Sequence, residues 1–209
     1  MNRPKDRHLL IFAKAPRRGA VKRRLAQDIG DGAALQFYRR CLVAIARRLA
    51  ADPRWTTWIA GTPDQATRNI RAFGTDVPVR PQGHGDLGAR MRRALGPARP
   101  GGPGATTLII GSDIPDIANQ HVWAAFEAAR QYHLVVGPSG DGGYWLIGQR
   151  GRLALMPRSL ADVRWSTCHA RSDTLDGLRR DRNIWLGETL DDVDDGPAYA
   201  GWAQRTTQC

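Results

Sequence analysis

The chain has 209 residues, of which 42% are hydrophobic and 24% are charged; this ordinary globular usage excludes a disordered chain and a fibrous repeat. The length favours one domain, residues 1–209, with one sizeable core. The formal net charge of +11 at pH 7 suits polyanionic small molecules, whereas the scatter of the basic residues as pairs argues against nucleic-acid binding as the main function.

Two further exclusions concern location and redox state. The apolar run 9–13 is too short for the core of a signal peptide, and no uncharged apolar run approaches the roughly 20 residues of a membrane span. We therefore expect a cytoplasmic protein without a membrane partner. Cys41, Cys168 and Cys209 are odd in number and far apart, so we expect reduced thiols and neither a disulfide framework nor a zinc site.

The first half of the chain alternates short apolar runs with helical periods. The run 8–13 predicts a buried strand that ends at Lys14. From Gly32 the apolar residues recur at steps of three and four, which predicts a helix that ends before Pro53. The next predicted elements are a strand over 55–60, a helix over 65–72, an extended segment over 77–80 and a helix opened by Asp86.

The second half continues the alternation. A glycine- and proline-rich surface loop, 96–105, precedes the clearest buried strand, 106–111, which stops at Ser112 and Asp113. The later predicted elements are a helix over 121–130, strands over 134–136 and 144–147, a helix over 172–180, an extended segment over 184–186 and a helix over about 197–204. This order predicts an α/β protein with a largely parallel sheet covered on both faces, and a ligand site at the carboxyl ends of the strands.

The segment KAPRRGAVKRRL, residues 14–25, follows the first predicted strand. It has neither the P-loop spacing nor the dinucleotide-binding spacing. Gly19 would permit close backbone approach, and Lys22 and Arg24 would supply mobile cations, the combination that polyphosphate requires. The alternative is a solvated basic loop.

Two acidic segments are candidates for a metal site. In GSDIPD, residues 111–116, Asp113 lies at the exposed tip of a buried strand and is well placed to ligate magnesium; Asp116 could instead be a helix cap. In LDDVDD, residues 190–195, Asp192 and Asp194 alternate and share one face of an extended segment. Either could be a second ligand, or the run could be an acidic cap of the last helix.

Three further segments have a functional and a structural interpretation each. In GPSGDGG, residues 137–143, the glycines around Asp141 allow close contact with a ligand, but a β-turn would use the same residues. Asp86 and Arg90 are one helical turn apart and could be an ion pair or a ligand clamp. The hydroxyls after Trp165 could cap a helix or contact substrate. His84 and His169 have no visible nucleophile partner, which argues against a hydrolytic triad.

In this order the segments KAPRRGAVKRRL, GDLGARM, GSDIP, GPSGDGGYWLIG, WST and DDVDD resemble the bacterial radical-SAM/selenodomain-associated transferase 1 family. The opening loop is also similar to that of 2-phospholactate guanylyltransferase, here as KRRL at 22–25. The resemblance implies a three-layer αβα nucleotide-diphospho-sugar transferase (GT-A) fold with a mostly parallel central sheet. It also implies a nucleotide donor and Mg²⁺ or Mn²⁺.

The same resemblance implies roles for individual residues. Asp113 and Asp194 would hold the metal, and Lys22 would stabilise the developing phosphate charge, so that Lys22 and Asp113 are the expected catalytic residues. The residues expected around the nucleotide are Lys14, Gly19, Lys22, Arg24 and Ser112. The residues expected to face the acceptor are Asp86, Arg90, Asp141, Gly142, Gly143, Trp165, Ser166 and Thr167.

The sequence departs from the family pattern at four positions. Arg18 stands where the family tends to have proline, and Arg23 replaces a usual threonine. In the late acidic segment, Asp195 stands for threonine and Ala198 for a further acidic residue. The two departures in the late segment bear on the contacts of the last helix, and the two arginines bear on the opening loop.

The residues and the resemblance together predict a metal-dependent transferase that moves a nucleotidyl group from a nucleoside triphosphate to a small acceptor. A glycosyltransferase that uses a nucleotide-diphospho-sugar is the alternative, since both reactions need charge neutralisation on a phosphate leaving group. A second alternative is an inactive nucleotide- or RNA-binding module. Such a module would not need Asp113 and Asp194, so their presence counts against it.

Overall fold

The computed structural model describes residues 6–96, 100–102, 104–151, 160, 162–177 and 183–207. The strands are β1 (Arg7–Lys14), β2 (Thr56–Thr62), β3 (Val79–Pro81), β4 (Thr106–Ile110), β5 (Leu134–Pro138), β6 (Tyr144–Arg150) and β7 (Ile184–Leu186). The α-helices are α1 (Arg23–Ile29), α2 (Asp31–Ala50), α3 (Leu87–Leu95), α4 (Asn119–Ala128), α5 (Ala170–Asp176) and α6 (Gly196–Thr207).

The strands form a seven-stranded sheet in the order β3-β2-β1-β4-β6-β5-β7. All neighbours pair in parallel except β6, which is antiparallel to both β4 and β5. The sheet is thus mostly parallel, as the sequence predicted. The carboxyl ends of β1 and β4 meet at the centre of the sheet, where their chains leave towards α1 and α4.

Hydrophobic cores cover both faces of the sheet, because successive side chains of a strand point to opposite faces. Leu9 and Ile11 of β1 pack in the core formed with α1, α2, α4 and α6. Leu10 packs in a second core with α3 and α5, against Met91 and Leu95. The three layers predicted from the family resemblance are therefore confirmed.

The main differences from the predicted elements lie in short helices. The segment predicted as one helix over 65–72 forms two 3-10 helices, Asp64–Arg68 and Ile70–Phe73. Asn69 separates them because its backbone is extended and its side chain accepts a hydrogen bond from the Arg71 N–H. The helix α1 begins inside the basic segment that was expected to be a loop, and it buries Leu25.

The other differences are shifts of element ends. The helix predicted over 121–130 begins two residues earlier, at Asn119, and α5 begins at Ala170 rather than at residue 172. The end predicted at 180 lies outside the described residues, as do 97–99 and 103 of the predicted surface loop. In the described part of the chain, no helix is both long and apolar enough to cross a membrane.

Candidate active site at the carboxyl edge of the sheet

A cavity of about 750 Å³ opens at the carboxyl ends of β1 and β4. The end of β1, the loop after it, the segment 111–113 and the loop 166–168 line the cavity, together with Asp141 and Asp194. Its volume lies within the range of ligand sites in proteins. The open α/β sheet thus has its cavity at the edge where such sheets bind ligands.

Asp113 reaches the cavity because the buried strand β4 ends at Ile110, shortly before it. All five residues of β4 are buried, whereas the Asp113 side chain is 28% exposed. The late acidic segment is fixed beside it through backbone hydrogen bonds: Val193 N–H donates to the Asp113 carbonyl at 3.4 Å, and Leu190 N–H donates to the Pro138 carbonyl at 3.1 Å. This pairing brings carboxylates about 80 residues apart in sequence to one place.

The ammonium of Lys22 lies between three carboxylates. Its Nζ is 2.7 Å from Asp113 Oδ2, 3.0 Å from Asp192 Oδ2 and 3.3 Å from Asp194 Oδ1. The Lys22 side chain is only 2% exposed, whereas the three carboxylates are about a third exposed. We call Asp113, Asp192 and Asp194 the carboxylate cluster. Sequence reasoning left open whether Asp192 or Asp194 belongs to it, and the structure brings in both.

The charges of the cluster shift the pKa values of its members. Burial acts to lower the pKa of Lys22, but the negative charges of Asp113 and Asp192 and their hydrogen bonds outweigh it and raise that pKa above its ordinary value. Burial raises the pKa of Asp192, and the neighbouring carboxylates add to this while Lys22 opposes it. Lys22 is therefore firmly cationic, and burial makes the charged form of Asp192 costly despite the contact with Lys22.

This arrangement changes the interpretation of the basic loop. Lys22 was expected to face phosphate, but its ammonium is held by carboxylates. Arg24 Nη1 contacts Asp194 Oδ2 at 3.0 Å from an exposed position. Gly19, with φ of 72°, lines a neighbouring depression of about 490 Å³ together with Arg23 and Arg24. The exposed cations that line the main cavity beside the cluster are Lys14, Arg23 and Arg24.

A buried hydroxyl network fixes the cavity floor. The Tyr38 hydroxyl accepts a hydrogen bond from Lys14 N–H at 2.9 Å and donates to the Lys14 carbonyl at 3.0 Å. It also lies 3.0 Å from Ser112 Oγ. Burial raises the pKa of Tyr38 above its ordinary value, so its hydroxyl stays protonated. Tyr38 thereby ties α2 to the ends of β1 and β4.

The opposite wall combines the turn after β5 with the loop before α5. Asp141 lines the cavity, and its Oδ1 accepts a hydrogen bond from Gly143 N–H at 2.8 Å. Gly142 has φ of 85°, and a Cβ added there would meet the Cys168 carbonyl oxygen, so only glycine fits between the two segments. The turn interpretation of GDGG is confirmed, and Asp141 nevertheless faces the cavity.

Ser166, Thr167 and Cys168 line the same wall. Ser166 has a positive φ of 61°. The Thr167 hydroxyl donates to the Arg164 carbonyl and accepts from His169 N–H, so it stabilises the entry to α5. Trp165 packs in the second core above Gly88, and its buried Nε1 has no protein partner among the described residues. Of the three WST residues, the two hydroxyl residues line the cavity.

Asp86 and Arg90 do not form the ion pair that was one interpretation of their spacing. Asp86 is the N-cap of α3, and its Oδ1 accepts a hydrogen bond from Ala89 N–H at 2.7 Å. Arg90 instead donates to the Gly85 carbonyl at 2.8 Å. In the described part of the chain neither residue is among those lining the main cavity. Their expected contact with an acceptor stays a prediction.

The structure also decides between the alternatives for two other acidic residues. Asp116 Oδ2 pairs with Arg205 at 3.3 Å and does not cap α4, whose N-cap is Ala118. Asp195 Oδ1 accepts a hydrogen bond from Ala198 N–H at 2.9 Å at the start of α6. The acidic-cap interpretation thus applies to Asp195, while Asp192 and Asp194 turn towards Lys22.

The carboxylate cluster meets one requirement of a divalent metal site and lacks another. The cluster offers carboxylate oxygens, the donors that Mg²⁺ and Mn²⁺ prefer, and they already surround a cation. Yet in the described part of the chain no group of three or more carboxylate, imidazole or thiol side chains forms a ready metal site. The residues fit a divalent ion chemically, but Lys22 takes the shared position.

Three residues of the site were missed by sequence reasoning. Tyr38 was assigned to the apolar face of α2, and no local signal marks its hydroxyl as part of the cavity floor. Phe12 was assigned to the strand core. Cys168 directly follows the WST segment, and that position was the one signal that could have placed its exposed thiol in the cavity.

The three-layer architecture, with its polar cavity at the carboxyl edge of the sheet, is that of the GT-A-like fold of nucleotidyl and sugar transferases. The chain belongs to the family described as "Uncharacterized protein conserved in bacteria (DUF2064)", whose model matches residues 45–167. A search of curated proteins finds no significant match.

Solved structures with the same fold have named activities. A protein from Desulfovibrio desulfuricans G20, provisionally named a nucleotide-diphospho-sugar transferase, is 29% identical with a TM-score of 0.82, over 91% of this chain and 83% of that one. The 4-diphosphocytidyl-2C-methyl-D-erythritol synthase of Anaerococcus prevotii DSM 20548 is 12% identical with a TM-score of 0.61, over 99% of this chain and 100% of that one. A CMP:2-keto-3-deoxy-manno-octonic acid synthetase complexed with CTP is 12% identical with a TM-score of 0.56, over 97% and 98%.

Proposed function

We propose that this protein is a metal-dependent transferase that uses a nucleoside triphosphate and passes its nucleotidyl group to a small acceptor. The observation that supports this most is the convergence of Asp113, Asp192 and Asp194 beside a cavity with exposed cations. Carboxylates that bind a divalent ion and cations that bind phosphate are the two requirements of phosphoryl chemistry.

The proposed reaction balances as a displacement at phosphorus. An acceptor hydroxyl oxygen bonds to the α-phosphorus, and the bond from that phosphorus to the β-phosphate oxygen breaks. Pyrophosphate leaves with the bonding electron pair, and the hydroxyl proton passes to solvent. A divalent ion held by Asp113 and Asp194 would supply charge neutralisation on the phosphates.

The remaining roles belong to the residues of the cavity walls. Lys14 and Arg24 would bind the phosphates from the basic side, and Ser112 would position the nucleotide from the floor that Tyr38 fixes. Asp141, Ser166 and Thr167 would face the acceptor, because they line the opposite wall. In this division the reacting phosphate would lie between the two walls.

Glycosyl transfer from a nucleotide-diphospho-sugar is the second candidate. The named activity of the D. desulfuricans structure, at 29% identity, favours it. The basic loop favours the triphosphate, since a leaving pyrophosphate develops more charge than a leaving nucleoside diphosphate bound through the same cations. Both candidates use the same carboxylates and cations.

Two measurements test the proposal. Thermal shift with a panel of nucleoside triphosphates and nucleotide-sugars, with and without Mg²⁺, should show stabilisation that needs both nucleotide and metal. Incubation of the protein with each stabilising nucleotide and a small-molecule extract should then release pyrophosphate. Release of nucleoside diphosphate instead would select glycosyl transfer, and no shift with any nucleotide would contradict the enzyme proposal.

A further inference from the structure

The side chain that lies between the three carboxylates is a lysine, a rare residue in this chain. Of the 31 basic residues only Lys5, Lys14 and Lys22 are lysines, and the others are arginines. A lysine ammonium is a compact point charge with three N–H donors, whereas a guanidinium is planar and suited to bidentate pairing. Three carboxylates converging on one point therefore need the ammonium, which in size and charge is the side chain closest to a metal ion.

Lys22 does not neutralise the cluster. Three carboxylates face one ammonium, so the cluster retains a strong negative charge around its centre. Arg24 contacts Asp194 but is 78% exposed, and solvent screens such a contact. A divalent ion would compensate the same carboxylates more fully than Lys22 does.

The cluster is open to ions although Lys22 is enclosed. The carboxylate side chains are 28%, 31% and 33% exposed, while that of Lys22 is 2% exposed. Lys22 also has φ of 46° and ψ of 49° at the N-cap of α1, a left-handed backbone that few residues other than glycine adopt.

We propose that Lys22 is an internal counter-ion that occupies the metal position of the free protein and is exchanged for a divalent ion, an exchange that nucleotide binding favours. On leaving the cluster the ammonium enters the cavity that Lys22 already lines, where phosphate replaces the carboxylates as its partner. Metal and nucleotide then favour each other's binding, because each removes a competitor of the other. This inference rests on the proposed function.

The first test measures Mn²⁺ binding without nucleotide by titration calorimetry in Lys22→Met. We expect the variant to bind Mn²⁺ at least about tenfold more tightly than the natural protein, because the competing charge is gone. Arg23→Met is the matched control. Arg23 lines the same cavity, so this variant loses the same positive charge while Lys22 stays between the carboxylates. The control should change affinity less than about threefold.

The second test uses the natural protein, so it does not depend on a variant that folds poorly. Amines are acetylated with a succinimidyl acetate, and the extent at Lys22 is measured by peptide mass spectrometry relative to exposed Lys14. We expect Lys22 to be protected without ligands and with Mn²⁺ at low concentration. Saturating Mn²⁺ should expose Lys22 and increase its acetylation several-fold.

The outcomes separate this inference from the proposed function. If the natural protein binds Mn²⁺ while Lys22 stays protected, or if Lys22→Met binds it no more tightly, the exchange is wrong although metal dependence stands. If neither protein binds Mn²⁺ even with nucleotide present, both the exchange and the metal-dependent function are wrong. If Lys22→Met binds Mn²⁺ more tightly, and if adding Asp113→Asn to that variant abolishes the gain, the exchange is supported and takes place at the carboxylate cluster.

Discussion

At the scale of single residues, the centre of the molecule's chemistry is the contact between Lys22 and the carboxylate cluster. An enclosed ammonium needs carboxylate partners, since a buried charge that loses its partners is costly to keep out of water. Each cluster residue therefore has both a structural and a proposed chemical role. Substitutions here must be read with a stability measurement beside every binding measurement.

Asp113 should be the cluster residue that nucleotide binding depends on most. Asp113→Asn keeps the shape but removes the carboxylate with the shortest contact to Lys22, at 2.7 Å. We expect the Mg²⁺-dependent part of the nucleotide-induced thermal shift to be lost. Asp116→Asn, which removes an exposed pairing with Arg205, is the control and should keep that shift. A metal-dependent shift that survives Asp113→Asn would refute the assignment.

Tyr38→Phe tests the cavity floor. Loss of the hydroxyl leaves both backbone groups of Lys14 and the Ser112 hydroxyl without this partner, which should lower the free energy of unfolding by about 1–3 kcal/mol. Urea denaturation measures the loss, and nucleotide binding should weaken with it. The control is Tyr144→Phe, whose hydroxyl makes long contacts to Met91 and Thr174 on the other core. Equal effects of the two changes on nucleotide binding would contradict the role given to Tyr38.

The two described cysteines should differ sharply in reactivity. Burial raises the pKa of Cys41 to about 12, so its thiol is both enclosed and protonated. Cys168 is exposed and lines the cavity. In a Cys209→Ser background, a maleimide should modify Cys168 and leave Cys41 intact, as peptide mass spectrometry will show. Nucleotide with Mg²⁺ should slow modification of Cys168; an unchanged rate would mean that the ligand binds elsewhere.

At the scale of elements, the wall formed by the loop 163–168 is held by one bidentate pair. Arg164 Nε and Nη2 donate to the two carboxylate oxygens of Asp173 in α5 at 2.9 and 2.8 Å, and Arg164 N–H donates as well. These bonds fix the loop against the first turn of α5. The hydroxyl residues of the cavity wall depend on that anchoring.

This pair predicts a pH dependence. The hydrogen bonds from Arg164 hold the pKa of Asp173 well below its ordinary value. A carboxyl group whose pKa is lower in the folded protein stabilises the fold above its unfolded pKa of about 3.9, and this contribution fades as pH falls towards the folded pKa. We therefore expect Asp173→Asn to lower the melting temperature at pH 7 and to differ progressively less from the natural protein below about pH 4. A difference that grew on acidification would contradict the sign.

The carboxylate cluster forms because separate elements of the fold carry its residues to one point. The β4 strand delivers Asp113, the segment after β7 delivers Asp192 and Asp194, and the turn into α1 delivers Lys22. Backbone pairing of Val193 with Asp113 and of Leu190 with Pro138 sets their relative positions. Asp113 thus projects from the central strand β4, and backbone hydrogen bonds hold the segment after the edge strand β7 beside it.

At the scale of the whole molecule, both cores share the same sheet. Leu9 and Leu10 are adjacent in β1 and belong to different cores, as do Leu108 and Ile109 in β4. Loss of either core would expose the central strands to solvent, so neither core should unfold without the other.

We therefore expect one cooperative unfolding transition, with equal calorimetric and van't Hoff enthalpies. Differential scanning calorimetry tests this, and nucleotide with Mg²⁺ should move the transition as a unit. Two resolved transitions would contradict the single domain predicted for residues 1–209. A ligand effect on only one of them would locate the site in a separate unit.

The sequence by itself determined the class of fold and the residues at the strand ends. Buried strands such as 106–110 and the apolar period of α2 are local patterns, because burial on one or both faces dictates their spacing. The positions of Lys14, Asp113 and Asp141 after strands followed from the same patterns. Two features could not be predicted in this way: the antiparallel direction of β6, which depends on its pairing partners, and the break at Asn69, which depends on a side-chain cap.

Only the tertiary structure decided which charges meet. Lys22 is separated from Asp192 by 170 residues, and no local pattern relates the two. The sequence suggested that Lys22 binds phosphate and left Asp192 and Asp194 as alternatives, whereas folding brings both carboxylates onto the Lys22 ammonium. The physical reason is that electrostatic partners depend on distances across the sheet, which are set by strand order and backbone pairing rather than by neighbours along the chain.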